Sequence, residues 1–313
     1  MNLPLDRIGR RAGLRLGIAC ASLLAAASLP QPASAEEWTK SYQLSGRAQV
    51  RVDTNDGAVR IATGDTKQVD FRVIYEGYEI NKNLHIESRQ DGNSVEINAR
   101  VTGHWGFSWG THHRTVRIEV RIPRDADLQI DTGDGSVETQ PISGHVKIHT
   151  GDGSVRSQAV DGSVDIDTGD GSITLEGAKG DIRLHTGDGH IEARNLEGRL
   201  DANSGDGHIK IDGKLEAMNI KTGDGSIDAR VEPGSRLSSG WSIRTGDGSV
   251  DLVLPPDLQA NIDASTNDGH ISLGIPVTVE GTFSNSQIHG KMNGGGQSLT
   301  IHTGDGSIRL SKS

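Results

Sequence analysis

Aspartate returns every eighteen residues along the middle of the chain, as Asp134, Asp152, Asp170, Asp188, Asp206 and Asp224, each inside Thr-Gly-Asp-Gly-Ser or a close variant. Two kinds of chemistry suit such a column. Carboxylates together with turn carbonyls are the usual ligands of Ca²⁺. Alternatively, each Asp accepts backbone N–H bonds inside its own glycine turn and faces water. Carboxylates stacked about 4.8 Å apart repel by roughly 0.9 kcal/mol per neighbour in bulk water, so something must offset the column. The turn reading is favoured, because calcium-binding rolls use a nonapeptide with two glycine-rich turns per coil and this chain has one per eighteen residues.

Histidine is the next candidate. His190, His208 and His270 replace the Ser of the motif, and His149 and His185 stand just before its Thr-Gly. His190 and His208 fall one repeat apart, but two ligands without a third make a weak metal site, so solvated turn histidines are the expectation and no metal is assigned. The glycine turns are not phosphate loops either, since no Lys-Ser/Thr follows them. The segment from Gly103 to His113 differs from both. It gathers Trp105, Phe107 and Trp109, three of the chain's ten aromatics, with His112 and His113. Aromatics on a loop suit sugar faces or a protein partner, or they fold back to cap the end of a stack. We expect a ligand or partner patch at Trp105, Phe107, Trp109, His112 and His113, with the cap as the alternative.

The elements that position these residues follow from the repeat. Counting each Asp as position 1, position 4 is always β-branched (Val137, Val155, Ile173, Ile191, Ile209, Ile227), while positions 13 and 15 are apolar (Val146 and Ile148, Val164 and Ile166, Ile182 and Leu184). A spacing of two is strand alternation. Two short strands per repeat are predicted, roughly positions 3 to 6 and 12 to 17, separated by the Gly-Asp-Gly turn and by a second turn at Gly144, Gly162, Gly180 and Gly198. One repeat cannot bury its few aliphatics, whereas stacked copies form a continuous interior. The expectation is an all-β, single-domain β-solenoid with eighteen-residue coils. Outward charges largely alternate in sign between repeats, as Glu138, Arg156, Thr174, Glu192, Lys210 and Asp228 do, which disfavours slipped registers.

Outside the regular coils the pattern changes. Residues 1–35 read as a signal peptide, with Arg7, Arg10, Arg11 and Arg15, a short apolar run and Ala33-Ser34-Ala35 before Glu36. Residues 36–313 are then the solenoid domain. The only cysteine, Cys20, lies in the leader, so a mature chain would lack disulfides and thiol chemistry. The formal charge of −10, less the +3 of residues 1–35, leaves −13, which argues against nucleic acid and anionic membrane surfaces as partners. Residues 46–61 resemble one coil. Within 66–125 the alternating segments at Val69–Tyr75, Leu84–Ile86, Val95–Val101 and Val116–Ile122 predict an N-terminal antiparallel strand meander that caps the stack. Residues 126–313 hold regular and then loosened coils. The Asp spacing grows to 23, 21 and 37, predicting loops at Glu232 to Trp241 and near Pro255-Pro256, with Thr303 to Leu310 as a closing half-coil.

The run Val120-Arg121-Ile122-Pro123, then Leu128 through Thr132-Gly133-Asp134-Gly135-Ser136-Val137 and the repeated Gly-Asp-Gly, resembles a bacterial β-strand-repeat domain of unknown function, the adhesin-labelled, toastrack-like family. The resemblance implies an extracytoplasmic β-solenoid, often linked to envelope-stress systems, with no established catalytic residue, ligand or cofactor. The expected function is a non-enzymatic, exported envelope protein, adhesin-like or a scaffold for recognition, in the periplasm, on the cell surface or secreted. It would not span the membrane after signal cleavage, and its partner would be an envelope component, a protein or a glycan. Two alternatives stay open: a carbohydrate-active β-helix enzyme, which needs a local break in the repeat gathering a carboxylate pair with Arg or Lys, and a calcium-stabilised surface repeat protein.

Overall fold

The computed structural model describes residues 35–102, 114–279 and 284–313. The leader to residue 34 and the aromatic candidates Trp105, Phe107, Trp109, His112 and His113 therefore lie outside the described residues. The strands begin with β1 (Glu36–Gln43), β2 (Ala48–Thr54), β3 (Ala58–Gly64), β4 (Gln68–Glu76), β5 (Leu84–Asp91), β6 (Ser94–Val101) and β7 (Thr115–Pro123). The regular region holds β8 (Ala126–Thr132), β9 (Val137–Thr139), β10 (Ile142–Thr150), β11 (Val155–Thr168), β12 (Ile173–Thr186), β13 (Ile191–Ser204) and β14 (Ile209–Lys221). The last part holds β15 (Ile227–Val231), β16 (Trp241–Thr245), β17 (Val250–Leu254), β18 (Ala260–Thr266), β19 (Ile271–Leu273), β20 (Thr278–Val279), β21 (Gln287–Met292), β22 (Ser298–Thr303) and β23 (Ile308–Lys312).

Alternation becomes burial. In β10, inward Ile142, Val146, Ile148 and Thr150 alternate with exposed residues. Parallel pairing in an eighteen-residue register then sets Val155 against Ile173, Ile166 against Leu184 and Thr168 against Thr186. Like therefore stacks on like, and the inward rows join one continuous core. Each fully buried aliphatic contributes about 1.5–3 kcal/mol, whereas exposed inter-coil pairs such as Arg60–Glu138 at 3.0 Å and Lys179–Glu197 at 3.3 Å contribute a few tenths. Stability thus comes from the interior, and the outward charges help select register. One expectation is corrected: the second glycine turn does not divide the coil into two strands. β11, β12 and β13 each run fourteen residues, because Gly162, Gly180 and Gly198, at φ 147°, 127° and 129°, bend the strand while its pairing continues on either side.

The two ends depart from chain order. At the N-terminal end β6 and β7 pair in parallel with β2 and β3, which in turn pair with β8 and β9. The coil built from β6 and β7 therefore lies outside the one built earlier in the chain. The antiparallel strands expected there are present, with β4 on β7, β1 on β4 and β5 on β6; β6 and β7 serve both as their partners and as the outermost parallel coil. The C-terminal end repeats the manoeuvre. β22 and β23 insert between β16–β17 and β18–β19, and β21 with β20 closes one face antiparallel. Thr303 to Leu310 is thus an internal coil rather than the closing half-coil that its chain position suggested. The long step from Asp268 to Asp305 holds the β20–β21 hairpin that lets the chain return. On the outermost strand β1, the charged Glu36 and Lys40 share the inward row with Trp38 and Tyr42, a pattern that discourages strand addition at an open edge.

Candidate functional site

The Thr-Gly-Asp-Gly corner shows what each of its residues does. Thr168 is buried; its Oγ1 donates to the carbonyls of Gly151 (3.2 Å) and Gly153 (3.1 Å) in the coil below, and accepts from the Gly171 N–H at 3.2 Å in its own turn. Thr150, Thr186, Ser204, Thr222, Thr245, Thr266 and Thr303 continue this ladder. The glycines stack tightly enough to exclude any side chain: a Cβ on Gly171 would lie 2.1 Å from the Gly153 carbonyl oxygen. The same contacts order the corners as Gly57, Gly135, Gly153, Gly171, Gly189, Gly207, Gly225, Gly248, Gly306 and Gly269. Ten corners are joined among the described residues. The ladder falters at Thr132, whose buried Oγ1 finds no partner where the coil beneath reads Thr54-Asn55-Asp56-Gly57.

The aspartates Asp134, Asp152, Asp170, Asp188, Asp206 and Asp224 form an exposed ridge along this edge. Their expected role inside the turn is corrected in one respect. The turn amide is taken by the Thr hydroxyl, and the Asp carboxylate instead lies against the first glycine of the next coil, where a Cβ on Gly187 would come within 3.4 Å of Asp170 Oδ1. The threonine column, which composition and period did not single out as functional, is the element that locks the corner.

The histidines pair locally. The His190 Nδ1 accepts the backbone N–H of His208 at 3.0 Å, while His208 Nε2 lies 3.2 Å from Asp228 and His149 lies 3.8 Å from Asp167. His270 meets Ser307 at 3.0 Å. Among the described residues no three His, Cys, Asp or Glu side chains converge as a metal site.

Around the segment that carries the aromatic candidates, the flanks are well anchored. Asn55 exchanges two 2.8 Å hydrogen bonds with the backbone of Val101, and the Arg114 guanidinium sits 5.7 Å from the Tyr78 ring centre. Burial raises the Tyr78 hydroxyl pKa, nearby Asp56 adds to the rise, and Arg114 opposes it. Half-buried Trp38 and Tyr42 stand at the same end of the stack, with Tyr42 edge-on to Phe71 at 6.1 Å and its hydroxyl 2.7 Å from Ser88.

The predicted loop between Glu232 and Trp241 is where unlike residues gather. Ser235 pins it, donating to the Glu232 carbonyl and accepting from Leu215 N–H. At its start Glu232 has a raised pKa, from burial first, then a side-chain hydrogen bond with Asp212 and that residue's charge. The Arg230 Nε lies 3.7 Å from the Asp212 carboxylate. Neither strand alternation nor the Asp column marks this carboxyl pair. Its only sequence signal is the change of step from eighteen to 23.

The Toastrack DUF4097 family matches residues 47–311, and the chain belongs to that family. No curated protein matches it. Among solved structures it is similar to a “putative adhesin” from Bacteroides fragilis, at 12% identity over 89% of this chain and 97% of that one, with a TM-score of 0.44. It is also similar to a “putative lipid binding protein” from Parabacteroides distasonis, at 14% identity over 89% and 98%, with a TM-score of 0.46. Likeness at this level carries no argument about function.

Proposed function

We propose that the protein is a non-enzymatic, exported envelope protein, a rigid β-solenoid that holds a recognition surface at a fixed distance from its base. The single observation that carries this reading is the continuous glycine stack at the corners, backed by a threonine ladder interrupted at Thr132. It joins ten corners into a stack about 43 Å long at the usual strand spacing, leaving the outward side chains free to vary. The leader-like residues 1–35 and the net charge support export, to the periplasm or the surface, and a partner other than nucleic acid. The test is co-sedimentation of the purified protein with separated peptidoglycan, membrane and polysaccharide fractions, alongside Trp105→Ala/Trp109→Ala. Binding to one fraction that the variant loses assigns recognition to the aromatic segment. Binding that the variant keeps moves it elsewhere, and a fall in melting temperature makes the segment a cap.

A second reading, a carbohydrate-active enzyme, has one observation in its favour: Asp212, Glu232 and Arg230 meet where the repeat breaks. Reducing-end release from envelope polysaccharides that Glu232→Gln abolishes would replace the first reading with this one. For a calcium-stabilised repeat, the melting temperature must rise between chelator and millimolar calcium.

A further inference from the structure

Departures from the eighteen-residue rule converge on a second flank of the same insertion. Strand β14 shifts register against β13, so that Gly198 faces Leu215 while Arg199 faces Ala217, and Glu216 bulges between them. The insertion lies along this bulge. The Arg236 N–H donates to the Leu215 carbonyl at 3.1 Å, and the Glu216 carbonyl accepts from Ser238 N–H and Oγ, each at 3.0 Å, and from Trp241 Nε1 at 3.3 Å. Between bulge and insertion lies a pocket of about 460 Å³, floored by Gly198 and Leu215 and walled by Glu197, Lys214, Gly234 and Arg236. That volume is typical of small-ligand sites, which run about 300–1,000 Å³.

The charges in the pocket are unevenly satisfied. Glu197 is held by Lys179 at 3.3 Å. Lys214, Arg236 and the Glu216 carboxylate are exposed, and none of the three side chains makes an ion pair or hydrogen bond among the described residues. Gly234, at φ +87°, packs on the Lys214 stem, where an added Cβ would come within 3.1 Å of Cε; the bare glycine lets the insertion settle there. The pocket therefore offers two cationic donors to an anion and one carboxylate acceptor to hydroxyl groups. An adjoining pocket of about 320 Å³ continues this mixture through Arg199 and Asp181, which are directly opposed in register.

We propose that this pocket binds an acidic sugar unit of an envelope or extracellular polysaccharide, its carboxylate between Lys214 and Arg236 and a ring hydroxyl on Glu216. The proposal rests on the recognition reading and narrows it to a glycan. Inorganic phosphate satisfies the cations but brings its remaining negative charge against Glu216, where an acidic sugar brings a neutral hydroxyl, and an acidic peptide has no ring hydroxyl for that carboxylate.

The experiment is isothermal titration of the purified protein with an oligogalacturonate, a neutral glucan oligosaccharide, inorganic phosphate and an acidic peptide. The expected result is saturable binding of the oligogalacturonate alone. Lys214→Ala/Arg236→Ala should weaken it roughly tenfold or more, as loss of charged hydrogen bonds does, while Arg156→Ala/Lys221→Ala, which removes two exposed cations elsewhere, leaves it unchanged. Equal weakening by both pairs would reduce the effect to general charge attraction and overturn the site. Equal or tighter binding of phosphate or the peptide would overturn the sugar assignment. If the oligogalacturonate does not bind, the pocket proposal fails even when the protein sediments with an envelope fraction, so the site and the broader reading fail separately.

Discussion

The coils from Leu128 to Thr222 and the insertion from Glu232 to Gly240 draw on the same polar residues and use them in opposite ways. Within the coils, the Thr168 hydroxyl is spent on three backbone groups of two turns, and the outward side chains face their equivalents in the next coil. Where the insertion meets β14, register shifts, and Lys214 and Glu216 of that strand and Arg236 of the insertion stand without partners among the described residues around a pocket. Regularity consumes the inward polar groups, and irregularity gathers outward ones around a cavity. A repeat protein of this kind therefore carries its binding capacity where its period fails.

The largest effect that separates tight from loose regions is steric. Gly171→Ala places a Cβ 2.1 Å from a backbone oxygen that the stacked coils hold in place, so a loss of about 3 kcal/mol or more is expected by chemical denaturation. Gly92→Ala, at φ +58° with nothing within 4 Å, should lose only the left-handed backbone preference, about 1 kcal/mol. Similar losses at both positions would mean that the corners are less tightly stacked than they stand here.

Next comes the hydroxyl ladder. Thr168→Val leaves the Gly153 carbonyl and the Gly171 amide without a partner, while the Gly151 carbonyl keeps the Gly169 N–H, and should lower stability by about 2–3 kcal/mol, whereas Thr132→Val, whose Oγ1 has no partner, should change it by no more than about 0.5 kcal/mol in either direction. Equal losses in urea melts would remove the ladder as the source of rigidity.

A smaller effect belongs to the insertion. The pKa of Glu232 is raised in the folded protein, so its protonated form favours the fold, and this contribution is lost as pH rises from the ordinary 4.5 through the raised value. Glu232→Gln should therefore flatten the fall in melting temperature across that window and stand above the parent protein beyond it. An unchanged pH profile would dissociate the pair from stability.

The smallest is electrostatic repulsion along the ridge. Asp170→Asn removes a carboxylate flanked by two others, each worth at most about 0.9 kcal/mol in bulk water and less once salt screens it. A rise in melting temperature of a degree or two in low salt, vanishing at high salt, is the expected outcome of a salt series.

Much of the architecture was legible because the repeat writes one coil many times. Ile166 stacks on Leu184 and, two residues later on the same inward face, Thr168 stacks on Thr186, and both facts follow from the step of eighteen with strand alternation. Residues 94–123 were harder to place. Val95 to Val101 and Val116 to Ile122 alternate in the same way whether their neighbours run parallel or antiparallel, so alternation alone could not put β6 and β7 outside β2 and β3. The role of Thr in the corner was likewise hidden, since a motif shows which residues recur but not which of them holds the amide. The pair of Asp212 and Glu232 is twenty residues apart in a stretch where the count no longer follows the period, and nothing local links them.

By itself the sequence determined the coil, its period, its inward rows and its glycine corners, because each depends on contacts at a fixed separation along the chain. Only the tertiary structure decided the order in which the end coils stack, the partner of each threonine hydroxyl, and the side chains left unsatisfied beside the insertion. Those depend on which coil edge the chain returns to after a long excursion, and hydrogen-bond closure at that edge is a property of the assembled stack rather than of any segment within it.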